Sequence, residues 1–218
     1  MSCGIAEELK QRLQDIEQSG TRQELANASA QLVVLMPQLS GEPGLQGQAI
    51  SCCIDLLKAN NPAAALQALR GLIGCGAAAV EPLLNSLDER DYGARAWTVR
   101  ALSALQDPRG LAVLQRAVAN DIGPSVRQAA AYGLGRLQGD EDNLLQQCLN
   151  SLELACSDGE WSVRYAAVAA LEQRLQQALP SELDSQARAL LRHRSQQDVD
   201  DTLVVRLRAL LALERLAA

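Results

Sequence analysis

The stretch Ser125-Val-Arg-Gln-Ala-Ala-Ala-Tyr132 returns further along the chain as Ser162-Val-Arg-Tyr-Ala-Ala-Val-Ala169. Counting these two, arginines stand in related segments at four positions, which we call the slot arginines: Arg95, Arg127, Arg164 and Arg206. Ala65 occupies the same register in an earlier segment, and the five positions are separated by 30, 32, 37 and 42 residues. An internal repeat of this length that reads as helix throughout predicts an α-solenoid, in which each repeat buries its apolar face on the next.

The composition supports a helical protein. Of the 218 residues, 48% are hydrophobic but only 2% are aromatic, and the abundant Leu and Ala are strong helix formers that strands do not favour. The sequence therefore predicts an all-α fold, an α-α superhelix of HEAT-like or armadillo type with about five to six helix pairs. We expect a single HEAT-like repeat domain over residues 1–218, with irregular N-terminal helices in 1–44 and the repeats in 45–218.

The charge and the residue types exclude several classes of function. The net charge of −6 argues against a nucleic-acid binder, which needs a basic stripe to displace phosphate counterions. No apolar run approaches the roughly 18 residues of a membrane span, and the N-terminus lacks a signal-peptide pattern. We expect a cytoplasmic protein with reduced cysteines. The lone histidine and the absence of metal-ligand spacing predict no metal site, and we expect no cofactor.

An acid lies six residues before each slot arginine, at Glu89, Asp121, Asp158 and Asp200. This position is close to the start of the arginine-bearing helix, where a carboxylate can cap the helix and compensate its dipole. In a solenoid such an acid can also pair with an arginine of the neighbouring repeat. These structural roles compete with a second interpretation, in which the slot arginines bind a ligand, and the sequence leaves both open.

The aromatic residues are confined to one part of the chain, between positions 92 and 165. Tyr92 and Trp161 each precede a slot arginine, Arg95 and Arg164, by three residues, and residues i and i+3 share a helix face. The first-turn N–H groups of a helix also favour an anion. Such pairs would suit a flat, conjugated ligand that carries carboxylates; alternatively, the two rings only staple their helix starts.

The last predicted helix, over residues 201–216, carries more apolar residues than one buried face needs. Four leucines have the spacing of a core stripe: Leu203, Leu207, Leu210 and Leu211. Three further residues extend the apolar surface around the helix: Val205, Leu213 and Leu216. Because a terminal repeat should present a polar face to water, we interpret the excess as a partner surface or as a contact with residues not yet placed.

A specific resemblance rests on Asp91-Tyr-Gly-Ala-Arg-Ala-Trp-Thr-Val-Arg-Ala-Leu102, Asp107-Pro-Arg-Gly-Leu111 and Ser125-Val-Arg-Gln-Ala-Ala-Ala-Tyr-Gly-Leu-Gly135. Over about residues 45–175 the chain resembles the E/F-type phycobilin lyases, which are HEAT-like repeat proteins of cyanobacteria and red-algal plastids. Its size and the first of these segments look most like the F-type subunits of phycocyanobilin lyase.

The resemblance implies an enzyme that works as a heterodimer with an E-type lyase subunit. The pair binds a linear tetrapyrrole, phycocyanobilin, as substrate and attaches it through a thioether to a cysteine of the apo-phycocyanin α subunit. The F-type subunit needs no nucleophile of its own, because the acceptor protein supplies the thiolate and the lyase orients the reactants. The competing interpretation is a non-catalytic HEAT-repeat adaptor that binds phycobiliproteins during phycobilisome assembly or degradation.

The resemblance also suggests roles for individual residues. Candidates to bind the bilin propionates are Arg95, Arg127 and Arg164, with Arg100 in reserve. Candidates to stack on the chromophore are Tyr92 and Trp161. Two acids four residues before a slot arginine are the candidate catalytic residues, since they could bond the pyrrole N–H groups and keep the bilin protonated: Asp91 and Glu160. The His-Cys motif of an isomerising relative is absent, so we expect simple attachment.

Overall fold

The computed structural model describes residues 2–87, 90–177 and 179–217, with side chains from Gly4 onward. The described residues form twelve α-helices and no strand, which confirms the predicted all-α class. The helices are α1 (Ser2–Glu17), α2 (Arg22–Leu35), α3 (Pro43–Lys58), α4 (Pro62–Gly74), α5 (Val80–Asn85), α6 (Tyr92–Leu105), α7 (Leu111–Asn120), α8 (Pro124–Arg136), α9 (Asp142–Cys156), α10 (Trp161–Leu175), α11 (Ser181–Arg194) and α12 (Leu203–Arg215).

The chain falls into two compact units, Met1–Ala101 and Leu102–Ala218, whose boundary lies within α6. The single domain predicted for residues 1–218 stays a prediction. In the first unit α1 and α2 pack as a pair, α2 lies on α4 and α1 on α3. Thr21 and Glu24 fix the start of α2 through a reciprocal capping box, which satisfies N–H groups that a helix start leaves without partners.

In the second unit the helices stack in two layers, as expected for a HEAT-like solenoid. One layer contains α7, α9 and α11, and the other contains α8, α10 and α12. The closest approach is between α8 and α10 and depends on Gly135, since a Cβ added there would lie 2.6 Å from Ala170 Cα. This stacking carries Arg127, Arg164 and Arg206 on successive helices of one layer.

The core stripe predicted for α12 is wrong. The four leucines are 38–58% exposed, whereas the buried residues of this helix are Val205, Ala209 and Ala212. The repeat register explains the difference, because the residue before each slot arginine of this unit is a fully buried valine: Val126, Val163 and Val205. Small side chains let α12 pack closely on α10 and α11, so the larger leucines are left on the outer surface.

The described residues contain neither a membrane-spanning helix nor a group of metal ligands. No helix found there has the length and apolar character of a membrane span. Among the same residues, no three His, Cys, Asp or Glu side chains are grouped as metal ligands.

Candidate functional site

Pairs of ions link successive helices of the second unit. From α8, Arg127 Nε donates to Asp158 Oδ2 at 2.7 Å and Nη2 donates to Asp158 Oδ1 at 2.9 Å. From α10, Arg164 makes the same two bonds to Asp200, at 2.7 and 3.0 Å. Such two-point pairs are the strongest arrangement that arginine offers a carboxylate. We call the series the arginine ladder.

The backbone around each rung of the ladder is also the same. Asp121, Asp158 and Asp200 each accept a backbone N–H from two residues ahead. Arg127, Arg164 and Arg206 each donate from Nη1 to the carbonyl of the aspartate six residues earlier, at 2.7–2.9 Å. The prediction that these acids pair with an arginine of the neighbouring repeat is thus confirmed for Asp158 and Asp200. Glu89 lies outside the described residues.

The ladder is shielded from water, and this fixes its electrostatics. The Arg164 side chain is 11% exposed and that of Asp200 is fully buried. Burial alone would raise the pKa of Asp200, but the hydrogen bonds from Arg164 and Thr202 N–H and the charges of Arg164 and Arg194 outweigh it, so its pKa lies below the ordinary value. The pKa of Asp158 is lowered in the same way, chiefly by Arg127 once burial is overcome. Both acids are therefore ionised in the folded protein at neutral pH.

We expect the ladder to make the protein sensitive to acid. A carboxyl group whose pKa is lower in the folded than in the unfolded chain stabilises the fold above the unfolded pKa, about 3.9, and that contribution disappears as the pH falls through the folded value. Unfolding by urea, followed by circular dichroism between pH 7 and pH 3, should show stability falling below about pH 4. The Asp158→Asn/Asp200→Asn variant should start less stable and lose less. Parallel pH curves would contradict this assignment.

In the first unit, the start of α6 brings together several predicted site residues. Asp91 Oδ1 accepts the Ala94 N–H at 3.0 Å, so its carboxylate caps the helix. The Arg95 guanidinium lies 5.6 Å from the centre of the Tyr92 ring, and Tyr92 is 46% exposed. The predicted neighbourhood of an aromatic ring and a slot arginine is therefore confirmed here, through a cation–π contact.

Arg100, named in reserve for the propionates, makes a similar contact one turn further along α6. Its guanidinium lies 5.2 Å from the centre of the Trp97 ring. Both side chains are half-buried. The first turns of α6 thus present two guanidinium groups, each supported by a ring.

A different arrangement is present on α10. Trp161, Tyr165, Ala169 and Glu172 follow one another at helical spacing on one side of the helix, which we call the α10 face. The stripe runs from the 49%-exposed Trp161 through half-buried residues to Glu172, which is 4% exposed. At 1.5 Å per residue it is about 16 Å long. The exposed Glu160 precedes it and forms no side-chain cap on the helix.

Residues from the neighbouring helices flank the α10 face. From α12, Arg208 bonds to Glu172 and lies 5.9 Å from the centre of the Tyr165 ring. From α8, the half-buried Tyr132 has a pKa above its ordinary value, chiefly because it is buried and secondly because Tyr165 lies near it. Glu172 Oε1 is buried and has no hydrogen-bond partner among the described residues, although Arg215 Nη1 lies 3.6 Å away. The α10 face therefore combines the rings of Trp161 and Tyr165, with Tyr132 beside them, and a Glu172 oxygen that accepts no hydrogen bond among the described residues.

Sequence reasoning missed most of the α10 face. It singled out Trp161 from its register with Tyr92 but did not connect it to Tyr165, four residues later, or to Glu172. The signal was present, since an acid in the run Ala166-Ala-Val-Ala-Ala-Leu-Glu172 is unusual on a helix that is otherwise apolar. The contribution of Arg208 could not be foreseen, because it comes from a helix 36 residues further on.

The predicted site residues are divided between the two units. Asp91, Tyr92, Arg95 and Arg100 belong to the first unit, whereas Arg127, Glu160, Trp161 and Arg164 belong to the second. Glu160, Trp161 and Arg164 share the first turn of α10, but the Arg164 guanidinium is held by Asp200. The ladder occupies the two-point forks of Arg127 and Arg164, which favours the structural interpretation for both. Their binding of propionates, and the other assigned roles, stay predictions.

The cysteines whose side chains are described offer no reactive group. The five whose side chains are described are free thiols, and Cys3 lies outside that set. Burial, followed by the charges of Asp55 and Glu17, raises the pKa of Cys52 to about 11. A thiol is nucleophilic only as the thiolate, so Cys52 is protonated and unreactive at neutral pH.

Comparison with known proteins adds to this geometry. Residues 53–135 match the family model for HEAT repeats. The bilin biosynthesis protein RpcF of Synechococcus sp. (strain WH8020) is 45% identical over 174 residues, 78% of this chain and 82% of that protein. The phycocyanin alpha phycocyanobilin lyase CpcF of Synechocystis sp. (strain ATCC 27184 / PCC 6803 / Kazusa) is 37% identical, with 80% of each chain covered.

Two solved structures place the fold. A chain in the complex of CpcE and CpcF of phycocyanin lyase from Nostoc sp. PCC7120 is 38% identical and superposes with a TM-score of 0.70, over 76% of this chain and 98% of that one. A designed armadillo repeat protein in complex with the peptide (KR)4 is 18% identical, with a TM-score of 0.62 and coverage of 96% and 99%. The second likeness concerns the fold alone.

Proposed function

The chain belongs to the family of phycocyanobilin lyase β subunits, and we propose that it is the F-type subunit of a heterodimeric bilin lyase. With an E-type partner it binds phycocyanobilin and attaches it by a thioether to a cysteine of the apo-phycocyanin α subunit. The reaction takes place in the cytoplasm, where its phycobiliprotein acceptor is found.

One observation carries the proposal: the likeness to a chain of the CpcE–CpcF complex extends over 98% of that chain at 38% identity. A match of this extent includes the whole fold of a subunit that works in a pair. Several similar relatives bear the name phycocyanobilin lyase subunit. These names favour the enzyme over the non-catalytic adaptor.

The proposed reaction requires no nucleophile from this chain. The acceptor cysteine adds across the ethylidene double bond of ring A: its sulfur bonds to the ethylidene carbon, the π bond is consumed, a proton is added to ring A to replace the one lost from the thiol, and nothing leaves. The lyase contributes by holding an extended, flat molecule in one orientation and by stabilising its charge. This accounts for an enzyme subunit whose described cysteines are buried or half-buried and unreactive.

The α10 face supplies the features that such a molecule needs. Trp161 and Tyr165 offer ring faces for stacking, and Arg208 offers a cation beside them. Glu172 is buried and holds Arg208 beside the Tyr165 ring through their ion pair. Its length of about 16 Å suits an extended chain of several pyrrole rings.

Reconstitution tests the lyase function. The protein is incubated with its E-type partner, phycocyanobilin and apo-phycocyanin α subunit, and the acceptor is analysed by denaturing electrophoresis with zinc-induced fluorescence. We expect a covalent adduct that forms only when both subunits are present. An acceptor that stays uncoloured, although both subunits are folded, would overturn the proposal.

Variants then test the α10 face separately. We expect Trp161→Ala to lower the initial rate about fivefold, since one aromatic stacking contact contributes on the order of 1 kcal/mol. Leu154→Ala is the matched control, because Leu154 is similarly exposed but lies on α9, in the other layer.

In a Trp97→Phe background Trp161 is the only tryptophan, and phycocyanobilin should quench its fluorescence. Unchanged emission together with an unchanged rate would remove Trp161 from the binding surface.

A further inference from the structure

The arginine ladder is incomplete at the C-terminal end of the chain. Arg206 Nη1 donates to Asp200 O at 2.7 Å, as the other slot arginines of this unit do to their own aspartates. On the two earlier rungs, Nε and Nη2 bond to an aspartate of the next helix pair. Among residues 2–87, 90–177 and 179–217, no side chain or carbonyl accepts a hydrogen bond from Nε or Nη2 of Arg206. The fork of the last rung is therefore half-buried and open.

The same helix carries an apolar surface beside this open rung. Its members lie at helical spacing along α12 and are 38–58% exposed: Leu203, Val204, Leu207, Leu210 and Leu211. An exposed apolar surface of this size on a solenoid helix marks a place where another helix packs. The open fork of Arg206 beside it offers that helix a charged contact as well.

We infer that α12 is the docking surface for the E-type subunit, and that this partner continues the stack with a helix pair whose carboxylate completes the Arg206 rung. The inference rests on the proposed function, which requires a heterodimer. It adds the position of the interface and the chemistry of one contact. The partner must offer an apolar helix face to the leucines and, beside it, an aspartate or glutamate.

The ladder argues for this occupant over others. A planar guanidinium fork is complementary to a carboxylate, and on each earlier rung the carboxylate precedes a helix of the next pair. A following repeat delivers an acid and an apolar face together, in the geometry that Arg127–Asp158 and Arg164–Asp200 already repeat. A chain 38% identical to this one is solved in the complex of CpcE and CpcF, which supports a subunit of that kind as the occupant.

Binding between the two purified subunits, without bilin or acceptor, tests the inference. We expect Arg206→Gln to raise the Kd of the heterodimer about tenfold or more, because the partner's acid would be left buried without its cation. The double variant Leu207→Asp/Leu211→Asp should raise it at least ~100-fold, since it places charges in the apolar centre of the interface. Size-exclusion chromatography with light scattering and titration calorimetry give these values.

Controls separate docking from folding. Leu154→Asp places a charge on an equally exposed leucine of α9, and it should leave the Kd unchanged. Circular dichroism should show all variants folded, since the three leucines are exposed and Arg206 is half-buried on the surface of α12. A heterodimer that forms normally with both the Arg206 and the leucine variants would overturn the inference and leave the proposed function standing. A wild-type protein that never binds the E-type subunit would overturn both. A homodimer that the leucine variant abolishes would assign the surface to a second copy and would also overturn the inference.

Discussion

Replacing Asp200 by alanine is expected to lower the free energy of unfolding by about 3–5 kcal/mol. The Asp200 side chain is fully buried and serves Arg164 at 2.7 Å, Arg194 at 3.7 Å and the Thr202 N–H at 3.0 Å. Its removal takes the buried counter-ion from two nearly buried guanidinium groups and leaves Arg164, among the described residues, only the exposed Asp201, at 3.5 Å. A partly buried cation that loses its buried partner is the costly case. Equilibrium urea unfolding, followed by circular dichroism, measures the loss.

A double-mutant cycle distinguishes the pair from its surroundings. Because the cost arises from an unpaired cation, Asp200→Ala/Arg164→Ala should be much less destabilised than the sum of the two single variants. Asp184→Ala is the matched control: its pair with Arg188 has a similar length, 2.8 Å, but Asp184 is 34% exposed, so the loss should be below about 1 kcal/mol. Equal losses at Asp200 and Asp184 would mean that burial does not strengthen the ladder.

This result also bears on the substrate roles predicted for Arg127 and Arg164. If the ladder is structural, alanine at either arginine lowers stability and bilin transfer together. Arg95 differs, since its guanidinium lies on the exposed Tyr92 ring. Its replacement should affect transfer more than folding if it binds a propionate. The comparison of the two positions decides between the two interpretations that the sequence leaves open.

The repeat register proved a better guide to the core than hydrophobicity. In α12 the leucines have the spacing of a buried stripe, and the register of the valine before each slot arginine contradicts it; the valine and Ala209 are buried. Periodicity within one helix gives a stripe but cannot say which neighbour covers it. In α8 and α10 the valine before the slot arginine is buried, and the repeat register predicts the same for Val205 in α12. Applying this register to α12 would have placed the leucines on the outer surface.

Contacts between residues far apart in the sequence limit how much of the candidate site could be predicted. The acid six residues before each slot arginine is visible in the sequence, and so the ladder could be predicted as one of two alternatives. Its rungs join residues 31 and 36 positions apart in the sequence. Coordinates were therefore needed to choose between the structural and the ligand-binding interpretation of the arginines. Likewise Glu172 is visible as an odd acid in an alanine-rich run, but its neighbour Arg208 is not.

Arg174 is the clearest feature that the sequence did not reveal. It stands near the end of α10, where a basic residue ordinarily points to water and favours the helix dipole. Instead it is completely buried, with Nε and Nη2 donating to Leu134 O at 2.9 and 2.6 Å. That carbonyl lies in the last turn of α8, where carbonyl groups lack helical partners. The guanidinium therefore caps α8 from another helix, and burial lowers its pKa below the ordinary value.

We expect Arg174→Ala to destabilise the protein by about 3–5 kcal/mol, because it empties a large buried volume and leaves a carbonyl without a donor. Arg174→Lys keeps a charge but not the planar fork and should lose less. Arg192→Ala, at an exposed arginine of α11, should lose under about 0.5 kcal/mol. Urea unfolding of the three variants measures the order. Since Arg174 lies in the core and the α10 face is partly exposed, the folded fraction of Arg174→Lys should transfer bilin at the normal rate; a slower rate per folded molecule would mean that Arg174 also positions that face.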